Sequence, residues 1–255
     1  MDVLRYHVGE AFDRALVKRG LEVSDEARAQ VLACQDLARL DAWLARALTA
    51  TSPSATLPAV TDRRRATYQD VLDAPPNMVA EVIDGQLVLM PRPAKPHALA
   101  ASALGQELGP PFQRGKGGPG GWFVLDEPEL HLGGDILVPD LAGWRRERMP
   151  DCVDDEPFFT LAPDWVCEVL SPRTAKIDRS DKLPIYAREQ VAHAWLVDPL
   201  ARTLEVMRRE GPRWLLVGVW SDEARVRVEP FDAIELELGA LWAGAARQAE
   251  SSTPL

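Results

Sequence analysis

The sequence predicts an α/β domain preceded by a short helical segment. From residue 66 onward, clusters of Val, Ile, Leu and Trp that are typical of strands alternate with stretches typical of helices. The first 50 residues lack such clusters, and their leucines recur mostly at steps of three to five residues, as an amphipathic helix requires. No fixed-period repeat occurs in the chain, which excludes a solenoid.

Residues 1–50 are expected to form the helical segment, with short helices that include residues 31–37 and 43–48. Residues 51–65 are predicted to be a linker, because this stretch begins with Thr51-Ser52-Pro53-Ser54 and has no hydrophobic periodicity. The main domain is predicted to span residues 66–245, and residues 246–255 to be a flexible tail.

The main domain opens with the clearest hairpin in the chain. Two apolar runs, residues 81–83 and 86–90, flank Asp84-Gly85, a pair that accepts the positive φ angles of a two-residue turn. An alanine-rich helix follows over residues 97–108 and ends at Gly109-Pro110. Residues 115–121 contain five glycines and predict a mobile loop, without the Lys-Ser/Thr ending of a phosphate-binding loop.

The rest of the domain predicts further strands around one helix. The second half of residues 171–187 has a helical pattern, although Pro184 fits only the first turn of a helix. The predicted strands are residues 122–125, 136–142, 165–170, 194–198, 203–207, 214–220 and 226–228.

The composition is that of a globular protein. Of the 255 residues, 46% are hydrophobic and 27% are charged, and no apolar run approaches the roughly 20 residues of a membrane helix. The first residues lack a basic region followed by an apolar one, so no secretory signal and a cytoplasmic location are expected. Cys34, Cys152 and Cys167 show no Cys-x-x-Cys spacing, which indicates free buried thiols rather than disulfides or zinc ligands.

Two acids stand in segments that are otherwise apolar. Glu168 lies within residues 165–170, and strand alternation puts it on one face with Val166 and Leu170. Asp140 follows Val138-Pro139 in a similar setting. If both acids face one edge, they form an oxygen-rich site suited to Mg²⁺ or Mn²⁺. The alternative is structural: Asp140 caps a turn, and Glu168 pairs with an arginine at an exposed strand edge.

Lys182 is the candidate cation near these acids. It follows the Glu168 strand after a short connection, and on a helix it shares a face with Tyr186, four residues later. The competing interpretation makes Lys182 an exposed partner of Asp178. His97 at the start of its helix is a candidate contact for phosphate or for an acid, and otherwise a cap or surface residue.

These motifs together resemble the Uma-type family of bacterial endonucleases, which belongs to the PD-(D/E)XK restriction-endonuclease-like superfamily. The resemblance covers about residues 66–240. It is carried by Val138-Pro139-Asp140, Glu168-Val169-Leu170-Ser171-Pro172, Asp178 to Lys182 with Tyr186, Trp195-Leu196-Val197-Asp198-Pro199, the hairpin that begins at Glu81, and His97.

The resemblance implies a mixed central sheet flanked by helices, with an extra N-terminal hairpin. It implies Asp140 and Glu168 as catalytic metal ligands for Mg²⁺ or Mn²⁺, with Lys182 as the catalytic lysine. Glu81, His97 and Tyr186 are possible supporting residues. The position two after Glu168 is Leu170 instead of the superfamily's lysine, so the lysine is taken from the following helix, as in the Uma-type family.

The expected function is a metal-dependent endonuclease that hydrolyses phosphodiester bonds in nucleic acid, with DNA the expected substrate. Because the formal net charge is −10, contact with DNA requires bound metal or a local basic surface. Candidates for that surface are Arg63, Arg64, Arg65, Arg92, Lys95, Arg114, Lys116, Arg145, Arg146 and Arg148. A homodimer is compatible with double-strand cleavage, which needs two sites.

Two alternatives remain open at this level. One is a catalytically inactive nuclease-fold module that binds nucleic acid or protein, with the helical segment as its interaction device. The other is a hydrolase with Ser171 as nucleophile, which is weaker because no histidine lies near it in sequence and no Gly-x-Ser-x-Gly motif exists.

Overall fold

The computed structural model describes Trp43, residues 65–149 and residues 155–243. Contacts divide the chain into two units, Met1–Arg64 and Arg65–Leu255. In the first unit Trp43 is helical and buried. The remainder of the predicted helical segment, the linker, the tail, Cys34 and Cys152 lie outside the described residues, and the domain boundaries stay predictions. Cys167 is a buried free thiol.

The second unit is built mainly from strands. In chain order they are β1 (Met78–Ile83), β2 (Gln86–Pro91), β3 (Trp122–Asp126), β4 (Leu130–Leu132), β5 (Asp135–Leu137), β6 (Leu141–Arg145), β7 (Trp165–Val169), β8 (His193–Asp198), β9 (Thr203–Glu210), β10 (Arg213–Ser221), β11 (Arg225–Val226) and β12 (Leu236–Glu237). The helices are α1 (Tyr68–Leu72), α2 (Lys95–Leu108), α3 (Ala175–Ile177) and α4 (Leu183–Arg188). Two π-helical turns (Gly109–Gln113 and Asp178–Lys182) and a 3₁₀ turn (Leu238–Trp242) complete the described elements.

A six-stranded mixed sheet forms the centre, in the order β10-β9-β8-β7-β6-β3. Strands β7 and β8 are parallel, and the other neighbours are antiparallel. The predicted mixed sheet flanked by helices is therefore confirmed. None of the helices in the described part of the chain has the length and apolar character needed to cross a bilayer.

The central strand β7 divides two cores, as its alternation predicts. On one side Trp165, Cys167 and Val169 pack in a cluster with the buried face of α2 and with Trp195. On the other side Val166 and Leu170 pack in a second cluster with residues of α4. Each core faces a different layer of helices, so any polar side chain of β7 must find its partner in a packed interior.

The predicted hairpin is present as β1 and β2, and its turn residues Asp84 and Gly85 have φ angles of 50° and 76°. Two positive φ angles in succession define the turn type that matches the twist of paired strands. Strand β1 also pairs with β5, which gives a second, four-stranded antiparallel sheet in the order β2-β1-β5-β4. The hairpin is thus one half of a sheet rather than an isolated extension.

The prediction of one strand over residues 136–142 is wrong. The structure has β5 in the four-stranded sheet and β6 in the six-stranded sheet, with Val138-Pro139-Asp140 as the crossing point. Two local features explain the break. The backbone N–H of Val138 donates to a side-chain oxygen, Oε1 of Glu81, at 2.6 Å, and Pro139 has no N–H to give a neighbouring strand.

Pro184 lies in the first turn of α4, as expected, but α4 is not an isolated helix. Helical backbone runs from α3 through the turn Asp178–Lys182 into α4, so helical residues precede Pro184. The widened π turn directly before α4 accommodates a residue that has no N–H to donate to the preceding turn. Lys182 is the last residue of that turn.

Candidate active site

Six predicted site residues meet in one region of the second unit. They come from β1 (Glu81), α2 (His97), the β5–β6 crossing (Asp140), β7 (Glu168) and the segment from the π turn into α4 (Lys182 and Tyr186). A cavity of about 360 Å³ is lined by His97, Asp140, Glu168 and Lys182. Glu81 and Tyr186 contact these groups from the interior.

Glu168 is held from the protein side through a single oxygen. Its Oε1 accepts hydrogen bonds from the Tyr186 hydroxyl at 2.6 Å and from Lys182 Nζ at 2.8 Å. Burial raises the pKa of Glu168 well above its usual range, and the ammonium of Lys182 offsets only part of that rise. The alternative of an exposed strand edge is wrong, because Glu168 is buried in a strand that has neighbours on both sides.

Lys182 is buried and uses all three of its donors. Its Nζ lies 2.8 Å from Glu168 Oε1, 3.0 Å from Glu81 Oε1 and 3.3 Å from the carbonyl oxygen of Val138. Burial alone would lower the pKa of Lys182, but the charges of Glu168 and Glu81 raise it above its usual value. Lys182 is therefore a cation at neutral pH, and the interpretation as an exposed residue is wrong.

Glu81 is completely buried in the hairpin strand β1. Its Oε1 accepts from Lys182 and from the Val138 N–H. Its other oxygen, Oε2, is buried and has no hydrogen-bond partner among the described residues. An unpaired carboxylate oxygen in the interior is costly, so the contacts of Oε1 with Lys182 and the Val138 N–H are the ones that stabilise Glu81.

Asp140 joins the crossing point to β7 and α2. Its Oδ2 accepts from the backbone N–H of Val169 at 2.7 Å, and its Oδ1 lies 3.2 Å from His97 Nε2. The carboxylate thus contacts distant elements, and the interpretation of Asp140 as a local turn cap is wrong. Each oxygen has one protein partner and keeps lone-pair capacity for another.

His97 is buried in the first turn of α2, so it is neither a cap nor a surface residue. Burial lowers its pKa, while the hydrogen bond and the charge of Asp140 raise it, and the net pKa lies above the usual value. The Nδ1 atom of His97 is buried and has no partner among the described residues. His97 therefore orients Asp140 and retains one ring nitrogen for a further contact.

Two acids of the cavity wall were not predicted as site residues. Asp178 is buried, and its burial raises its pKa to about 6, against an opposing effect of Lys182. In the sequence it was part of the motif from Asp178 to Lys182 and the alternative partner of Lys182, but not a site residue. Glu127 lines the cavity with a φ of 45°, and its N–H donates to the Asp140 carbonyl at 3.0 Å. Left-handed backbone in a non-glycine residue is concentrated at functional sites, but no sequence pattern announces it.

The acids of this cavity are oxygen donors, the ligand type that a hard cation such as Mg²⁺ prefers. Asp140 and Glu168 supply carboxylate oxygens to one cavity, and Asp178 adds negative charge that Lys182 alone does not balance. Within the described residues, no group of three or more His, Cys, Asp or Glu side chains could hold a metal ion by itself. Mg²⁺ usually keeps several waters and takes only one or two protein carboxylates, so a two-acid site matches its requirements.

The predicted basic residues separate into several environments. Arg92 lines the cavity described above, and Arg114 lines an adjoining groove along α2. Arg145 lies over the ring of Trp122 and Arg146 over the ring of Phe123, at 4.6 and 4.0 Å. Arg148 pairs with Asp164 at 2.8 Å, Lys95, Lys116 and Arg65 are exposed, and Arg63 and Arg64 lie outside the described residues.

Comparison with known proteins identifies a family that matches this chain. Residues 65–240 match the family model Uma2, described as "Putative restriction endonuclease". None of the curated proteins compared with the chain matches it. A solved structure from Anabaena variabilis, titled a "putative nuclease belonging to DUF820", is similar with a TM-score of 0.54 and 24% sequence identity. That similarity covers 69% of this chain and 97% of the other, so the two share a fold.

Proposed function

This chain belongs to the Uma2 family of "putative restriction endonucleases", and we propose that it is a metal-dependent endonuclease that hydrolyses phosphodiester bonds in DNA. One observation carries the proposal: Asp140 and Glu168, far apart in sequence, line the same cavity as Lys182. A structural role for the two acids would not require them to open onto a shared cavity.

Asp140 and Glu168 would hold the cation, which we propose to be Mg²⁺ or Mn²⁺. When bound, such an ion polarises a phosphate oxygen and lowers the pKa of a coordinated water. The protein fixes the two ligands in advance. Tyr186 and Lys182 hold Oε1 of Glu168, which leaves Oε2 for the ion, and the Val169 N–H and His97 hold the two oxygens of Asp140. Partners of this kind orient metal ligands and tune their affinity.

The ammonium group of Lys182 is less available to the substrate than that of a lysine without protein partners. Because its three donors are all engaged, it contacts a phosphate oxygen or a water only by giving up one partner. The carbonyl of Val138 is the most distant, at 3.3 Å, and releasing it keeps both carboxylates paired. We propose that this exchange brings the ammonium group to the substrate.

The proposal is tested with Asp140→Asn and Glu168→Gln in two assays, cleavage of supercoiled plasmid with MgCl₂ and calorimetric titration with Mn²⁺. We expect each variant to lose about a thousandfold in cleavage rate, since the ion's stabilisation of charge is worth several kcal/mol. Mn²⁺ binding should weaken in parallel, and EDTA should abolish cleavage. The matched control is Glu210→Gln, an exposed acid outside both cavities, which should behave as the natural chain.

The same experiment distinguishes the proposed nuclease from the competing function. A catalytically inactive nuclease-fold module would bind nucleic acid or protein, but it would leave plasmid intact at every metal concentration. Plasmid cleavage that persists in EDTA, or in both acid variants, would contradict the proposed mechanism. Mn²⁺ binding that is the same in the natural chain and both variants would place the ion elsewhere.

A further inference from the structure

The catalytic cavity has two kinds of wall. It is lined by the acids and Lys182 and also by apolar side chains, among them Val79, Met90, Pro93 and Pro172. In a DNA duplex the phosphate is flanked by sugar and by polar groove edges, while the base faces are stacked inside. An intact duplex offers such a wall only small apolar groups, such as deoxyribose carbons and the methyl group of thymine. The flat face of an unpaired base does match such a wall, since every base has one.

The rim of the same cavity carries two arginines. Arg92 follows β2 and Arg173 follows β7, and both side chains are exposed. Over the part of the chain that the structure describes, neither guanidinium has an ion pair or a side-chain hydrogen bond, whereas Arg148, Arg179 and Arg188 each pair with an acid. A guanidinium group is suited to bidentate contact with phosphate. The rim thus has two arginines, on two different loops, that are available to bind phosphate groups.

Resting on the proposed function, we propose that the cavity takes one unpaired nucleotide of the substrate strand. Its base lies on the apolar wall, and Arg92 and Arg173 bind the phosphates on either side of it. The substrate class is therefore single-stranded nucleic acid or a duplex that is locally open at the cleavage position. The volume of about 360 Å³ is at the small end of ligand pockets, which suits a single nucleotide rather than a longer segment.

The first test compares cleavage of one labelled oligonucleotide in three forms: single-stranded, fully paired, and paired except for a central unpaired bulge. With Mg²⁺, the single-stranded and bulged forms should be cut at least about tenfold faster than the paired form, because unstacking a paired base costs a few kcal/mol. Ala94→Phe places a ring at the cavity wall from an exposed position. It should slow cleavage of the two open forms about tenfold, while Ala201→Phe, in an exposed turn, should not.

The second test measures binding, so it does not depend on catalysis. Affinity for the single-stranded oligonucleotide is followed by fluorescence anisotropy in Ca²⁺, which takes the same oxygen ligands, across a salt series. The Arg92→Ala/Arg173→Ala double variant should bind about tenfold more weakly, and its salt slope should be smaller by about 0.7 for each phosphate that it no longer binds. Arg213→Ala, an exposed arginine at the start of β10, is the control.

The outcomes distinguish the two proposals. If no form is cut but single-stranded binding depends on the cavity residues, the nuclease mechanism fails and the nucleotide site stands. Faster cutting of the fully paired form would overturn the nucleotide site and leave the nuclease intact. Binding that is indifferent to Ala94→Phe and to the removal of both arginines would also overturn it.

Discussion

The most informative single change in this chain is Lys182→Met, which removes the charge and keeps a side chain of similar length. Lys182 Nζ lies 2.8 Å from Glu168 Oε1 and 3.0 Å from Glu81 Oε1, and all three side chains are buried. At an effective dielectric constant near 20, each contact is worth about 6 kcal/mol of gross attraction. Most of this attraction offsets the desolvation of the ammonium group.

The net effect follows from what remains after the change. Removing one partner of a buried ion pair leaves an uncompensated charge and costs about 3–5 kcal/mol. We therefore expect Lys182→Met to lower the free energy of unfolding by about that amount at pH 7. For a domain of this size the melting temperature should fall by roughly 10 °C, measured by thermal and urea unfolding. Cleavage activity should be lost as well.

Two matched variants control the interpretation. Lys176→Met removes an exposed lysine from the same helical segment, and its effect should stay within about 0.5 kcal/mol. Adding Glu168→Gln to Lys182→Met should recover part of the stability, because one of the two orphaned acids then becomes neutral. If Lys182→Met unfolds at the same temperature as the natural chain at pH 7, the argument that the ammonium group holds these carboxylates is refuted.

Two further predictions concern groups that touch the same cluster. Tyr186→Phe removes the hydroxyl group that donates to Glu168 at 2.6 Å. We expect the affinity for Mn²⁺, measured by calorimetry, to fall about 10- to 100-fold. Circular dichroism should show that the variant is folded. Asp178 has a pKa raised from 3.8 to about 6, so the native state binds its proton more tightly than the unfolded chain does. Its contribution to stability is largest below about pH 4 and is lost as the pH rises through about 6. Asp178→Asn should remove that slope and raise metal-free stability at pH 7 by at most about 3 kcal/mol, and an unchanged slope in urea unfolding would contradict the assignment.

Local sequence signals account for much of the fold. The Asp84-Gly85 turn and the alternation of β7 could be predicted because each depends on neighbouring residues alone. Glu168 and Asp140 were identifiable because an acid in an apolar segment is a conflict that local structure does not resolve. Such an acid indicates that a site is present, but the local sequence does not show which partners stabilise it.

Long-range contacts explain what could not be predicted. The break in residues 136–142 depends on Glu81, a residue of another strand that takes the N–H of Val138. The continuous helical backbone around Pro184 depends on a π turn, which has no sequence pattern of its own. The partners of Lys182 likewise come from β1, β7 and the crossing point, so its burial is a property of the assembled fold.

The balance of charge links stability to the proposed function. The ammonium group of Lys182 donates to Glu168, Glu81 and the Val138 carbonyl group. Among the described residues it makes no direct contact with Asp140 or Asp178. Protons can relieve part of the excess negative charge, as the raised pKa values of Glu168 and Asp178 indicate. A divalent cation would relieve it without protonating the acids, and an ion that binds only the native state stabilises it in proportion to the logarithm of its concentration. On this reasoning protons and the cation compete for one cluster, so Mn²⁺ should bind more tightly, and stabilise the fold more, as the pH rises through about 6.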